Sequence, residues 1–88
     1  MYLEAAEQGH SFAQFNIGRS YQQGLGVQQN LTEAHKWLIL AAAGDSEGNE
    51  KKFAETRDNV ALTMNATQIA DSQQRARDWT EAFERHRR

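Results

Sequence analysis

The chain contains no cysteine and no proline. Lacking cysteine, it can build neither a disulfide framework nor a thiolate site, and its redox compartment is left open. Lacking proline, it has no side chain that would break a helix from within. No apolar run reaches the roughly 18 residues of a membrane span, and no signal peptide stands at the start, although a truncated N-terminus could have lost one. Alternating β-branched residues are also missing, so strands are not expected. Nor is there a marked surplus of one charge: the net value is −2, with a quarter of the residues charged. What basic character exists is local. Residues 75 to 88 hold five Arg against three acidic groups, which leaves the rest of the chain at five basic and nine acidic.

What remains is helical. Apolar residues recur at three- and four-residue steps, predicting helices over 2–8, 12–23, 31–43, about 47–62 and 66 to about 85. Ser11-x-x-Gln14, Asn30-x-x-Glu33 and Asn65-x-x-Gln68 have the form of capping boxes, and Gly9, Gly24 and Gly44 fall where helices should end. In the 12–23 helix, Ala13, Ile17 and Tyr21 form one stripe, with Gly18 beside it allowing close approach of a neighbour. Ala34, Trp37, Leu38, Ala41 and Ala42 offer the facing surface, so these two helices should pair antiparallel. In the Gly24-Leu25-Gly26-Val27 bend, Leu25 or Val27 is expected to turn inward as a plug. Phe53, Thr56, Val60 and Met64 mark the next helix. Ile69, Ser72, Ala76, Trp79 and Phe83 give the last one a narrow seam, to be used either as an intramolecular cap or as a site for a second copy.

Leu-Glu-Ala-Ala at residues 3 to 6 returns as Ile-Leu-Ala-Ala at 39 to 42, a shift of 36 residues. That period is close to the roughly 34 of tetratricopeptide repeats. Together with Ile17-Gly18-x-x-Tyr21, the glycine bend, Ala34-x-x-Trp37 and Ala41-Ala42, it resembles the Sel1-like repeat. Residues 57 to 79 look like the helical segment that often closes such arrays, with Asn65-Ala66 where the family usually has Thr-Pro. The resemblance implies an all-α, tetratricopeptide-like solenoid fragment with a C-terminal capping helix, divided as 1–9 (end of a preceding repeat), 10–45 (one full repeat) and 46–88 (helical cap). Met1 stands where the family would often place the tryptophan that recurs here as Trp37, which favours an excised piece of a longer array or an alternative start. The absence of cysteine departs from the cysteine-rich secreted branch of the family. Bacterial signalling, envelope or host-interaction complexes are the settings it implies.

The search for chemistry returns little. His10, His35 and His86 lie far apart and match no metal-ligand spacing, and His35 reads as an exposed helix residue. The Glu4/Glu7 and Glu47/Glu50 pairs read as solvent-facing, with nothing apolar nearby to raise a pKa. No catalytic residue, metal or cofactor is expected. Phe12, Phe15, Arg19 and Gln22 instead lie about 140 to 220° around from Ile17, opposite the hairpin stripe. Aligned on the repeat pattern, these four face the groove and are the candidate partner-binding residues. The alternative for Phe12 and Phe15 is packing against residues 2 to 8. The function expected is a non-catalytic adaptor for a protein or peptide ligand; the alternative is a homo-oligomer formed through the last helix or the uncovered N-terminal face. No nucleic acid is expected, the Arg85-His86-Arg87-Arg88 tail reading as solvated arginines at the negative end of a helix dipole.

Overall fold

A computed structural model describes residues 2–45 and 47–87, the side chains of residues 2–4 and 87 excepted. The readings of Met1 and Arg88 lie outside those residues. Among the described residues there are five helices and no strand: α1 (Tyr2–Glu7), α2 (Ser11–Gln23), α3 (Leu31–Gly44), α4 (Glu50–Ala61) and α5 (Ala66–Arg87). This is an all-α, tetratricopeptide-like hairpin with a C-terminal cap.

Helices α2 and α3 run antiparallel. Asn30 N donates to Tyr21 O at 3.0 Å where they join, Gly18 faces Ala34 and Leu38 midway, and Ser11 faces Gly44 at the far end. The bend holds them through its backbone. Gly24, at φ 70°, takes the left-handed conformation that a Cβ would strain, and the amides of Gly24 and Leu25 both return to Ser20 O. Contrary to expectation, no side chain plugs the gap. Leu25 and Val27 are exposed, because Gln29 Nε2, donating to Gln22 O at 2.8 Å, joins Asn30 N in closing the bend.

Helix α3 is the centre of the fold, packing against α2, α4 and α5. Its Leu38, Ala34, Ala41 and Ala42 meet Phe15 of α2 and Phe53 and Val60 of α4, while Trp37 and Leu40 join Ala6, Ala13 and Ala76 in a second cluster that Ile17 flanks. Burying each such large apolar side chain stabilises the fold by about 1.5–3 kcal/mol. Trp37 is 3% exposed.

The ends of the helices follow the capping signals with two exceptions. Asn30 Oδ1 accepts from Glu33 N, and Asn65 and Gln68 exchange amide bonds at 2.8 and 3.0 Å as a complete box. Ser11 does not cap α2. His10 takes that place without a side-chain bond, because Gln14, 2% exposed, spends its amide on Ala6 O at 3.0 Å and so ties α2 to the end of α1. Gly44 is not a left-handed stop either: it stays helical, and a Cβ there would sit 3.3 Å from Ser11 Oγ. Helix α4 starts at Glu50, three residues later than expected, since Asp45 Oδ2 accepts from Glu47 N and Asn49 N and holds the connection out of the helix. Glu47 and Glu50 therefore do not share a helix.

Helix α5 is spent on its own chain. Ser72 and Ala76 are buried, and Trp79 meets Trp37 edge-on at 6.0 Å. Phe83 stacks on Trp79 at 4.8 Å and reaches Gly9, where a Cβ would lie 2.8 Å from its ring. Twenty-two residues make a helix about 33 Å long, comparable with the 36 Å long axis of the molecule, so α5 lies along the body rather than projecting from it.

Candidate interaction face

The outer side of α2 is built around an aromatic trio. Phe53 of α4 is 0% exposed and stacks on Phe15 with ring centroids 4.5 Å apart and planes 22° from parallel. Phe12 sits 6.4 Å from both rings. The packing partner of Phe15 is therefore the helix that follows the hairpin, rather than residues 2 to 8. At 3% exposure Phe15 is a floor, whereas Phe12 at 57% presents its ring to solvent. The expected groove quartet is thus divided. Phe12 and Arg19 are exposed, Gln22 is half-buried with its carbonyl holding Gln29, and Phe15 lies beneath.

Two cations flank that floor. Arg19 Cζ lies 5.8 Å and Lys52 Nζ 5.5 Å from the Phe15 centroid. Such contacts are worth about 0.5–1 kcal/mol at exposed sites. Lys52 was missed in the sequence, where nothing indicated that the first turn of α4 would lie against the outer side of α2.

A second polar feature lies between α3 and α5. His35 is 4% exposed rather than solvent-facing, and its Nδ1 is 2.6 Å from Ser72 Oγ. Ser72 Oγ donates to Ile69 O at 2.7 Å, so its lone pair accepts from Nδ1–H, and neutral His35 carries its proton there. Burial, then the positive charge of Arg57, pushes the histidine pKa below its usual value, with Asp58 opposing. The signal was a serine in an otherwise apolar seam, which has to find a polar partner once buried. Nearby, Glu33 Oε2 pairs with Lys36 at 3.5 Å and Arg75 at 3.7 Å, too long for hydrogen bonds but enough to link α3 to α5 electrostatically.

These contacts are those of a clamp between helices. Among the described residues no group of three or more His, Cys, Asp or Glu side chains is placed to hold a metal ion, and no helix is long and apolar enough to cross a membrane.

A hairpin of small and aromatic residues, bent at glycines and covered by a further helix, defines an α-helical repeat protein. The Sel1 repeat model matches residues 1–10 and 11–46, and the chain belongs to that family. Repeats of this family generally mediate protein–protein interaction. The chain is 40% identical over 38 residues to the putative sel1-like repeat-containing protein L18 of Acanthamoeba polyphaga mimivirus. The matched stretch covers 43% of this chain and 6% of that protein. No solved structure matches.

Proposed function

We propose that this chain is a non-catalytic adaptor or scaffold module that holds a protein or peptide on the outer face of α2. Phe12, Arg19 and Gln22 make the contact over the floor formed by Phe15. Residues 1–9 then serve as the end of one repeat, 10–45 as a full repeat and 46–88 as its cap. The observation that carries the reading is the exposure of Phe12, 57%, beside an exposed arginine. Aromatic and arginine side chains are the usual anchors of binding surfaces.

The competing reading is a homo-oligomer through the last helix or the N-terminal repeat face; burial of Ser72 and Ala76 within the chain speaks against the first route only. A monomer by light scattering is the expected result. The adaptor reading is tested by identifying, with mass spectrometry, proteins retained by the immobilised chain and by its Phe12→Ala and Arg19→Glu variants. Loss of the same proteins in both folded variants supports it. Retention undiminished in both would refute it.

A further inference from the structure

Arg19 and Lys52 are set apart from the other unpaired cations by converging on one ring from two helices. Among the described residues Lys36, Arg57 and Arg75 pair with carboxylates, while Arg19, Lys51, Lys52, Arg77 and Arg85 do not. Supply is not the reason, because the chain has 12 acidic residues and a net charge of −2. Both charges lie within 5.8 Å of the Phe15 centroid, so an anion beside that ring is attracted by the two together. Beside them stands the exposed ring of Phe12. Towards the start of α2, Asp45 and Glu47 line a recess with Phe12, so the face is negative at that end and positive near Arg19 and Lys52.

We propose that the ligand of this face is an acidic polypeptide segment, with an apolar side chain seated on Phe12 and Asp or Glu side chains reaching Arg19 and Lys52. The proposal rests on the reading of α2 as the docking face. Charge complementarity selects the occupant: a peptide can carry its carboxylates at one end only, whereas a nucleic acid would bring phosphates over Asp45 and Glu47 as well.

The probes are a fluorescein-labelled peptide with an apolar, Leu-containing half followed by a Glu-rich half, a matched peptide with Lys in place of each Glu, and single-stranded oligo-dT, titrated with the whole chain and followed by fluorescence anisotropy. The acidic peptide should bind, the basic one should not, and Arg19→Glu and Lys52→Glu should each weaken Kd by about fivefold or more while leaving the circular dichroism spectrum unchanged. Added salt should weaken binding, and Phe12→Ala should weaken it without altering the salt dependence. Equal binding of the basic peptide, still lost in Phe12→Ala, would overturn the acidic preference and leave the docking face standing. Acidic-peptide binding indifferent to all three substitutions would overturn both. No binding of the acidic peptide, or tighter binding of oligo-dT with the same dependence on Arg19 and Lys52, would overturn the proposal.

Discussion

Replacing Gly18 with alanine sets two opposed effects against each other at the closest point of the hairpin. Inside an exposed helix the change would stabilise by about 0.5–1 kcal/mol, since glycine loses more backbone freedom on folding. At Gly18 the new Cβ would stand 2.9 Å from Leu38 Cγ, 3.0 Å from Leu38 Cδ2 and 3.1 Å from Ala34 O. Carbon atoms in contact prefer about 3.5–4.0 Å. Leu38 is 0% exposed and cannot swing aside, and Ala34 O belongs to the α3 backbone, so relief requires the two helices to separate. Overpacking of this kind costs about 1–3 kcal/mol, which exceeds the propensity gain.

The net expectation is destabilisation by about 1–2 kcal/mol, set against a total of about 4–13 kcal/mol for a chain of this length. The melting temperature should fall by about 4–8 °C per kcal/mol, followed by far-UV circular dichroism. Gly44→Ala provides the comparison, because its Cβ would meet only Ser11 Oγ at 3.3 Å, a hydroxyl that can rotate. That variant should melt close to wild type. A Gly18→Ala protein melting at or above the wild-type temperature would refute the argument, since it would mean that α2 and α3 are not held at this separation.

Phe53→Ala should cost about 3–5 kcal/mol by removing a fully buried ring, whereas Phe12→Ala, which gives up the edge contacts of a half-exposed ring, should cost about 0.5–1.5 kcal/mol; urea titration compares the two. The pKa of His35 lies below 6.5 in the folded chain, so under that pH the unfolded chain takes up a proton that the native one refuses. This contribution to stability is complete above pH 6.5 and is lost as pH falls from there toward the folded value; His35→Asn should flatten that part of the pH profile of the urea midpoint. Ser72→Ala leaves Nδ1–H without its acceptor and should cost about 1–3 kcal/mol by the same assay. Asn65→Ala removes the box that starts α5 and should cost about 0.5–2 kcal/mol in thermal unfolding.

The hairpin was legible because its information is local. Period, glycine bend and the Asn30 and Asn65 caps each lie within a few residues of the feature they determine, and all are found in place. Two of the misses share one cause: a side chain with a reasonable local role was claimed by a distant partner. Gln14 could have closed a box with Ser11, but bonds Ala6 O eight residues back. His35 reads as exposed on its own helix and is buried by Ser72, 37 residues away. A third miss is local: Asp45 Oδ2 accepts from Glu47 N and Asn49 N, two and four residues on, and delays the start of α4.

The same reasoning explains why only part of the candidate face could be read. Angular position on α2 separates Ala13, buried near Trp37 on the hairpin side, from Phe12, exposed on the other side, but misplaces Phe15, which joins Ala34, Leu38 and Ala41 of α3. It cannot say what lands on that other side, because the arrival of α4 depends on how Phe53 and Val60 engage α3. Once α4 docks there, Phe15 becomes core, and Lys52, one residue before Phe53, is brought to the same ring as Arg19. Phe53 is therefore needed both for stability and for placing Lys52, whereas Phe12 and Arg19, both exposed, bear mainly on the face. Substitutions at Phe12 and Arg19 are thus the ones able to change ligand choice while leaving the helices as they are.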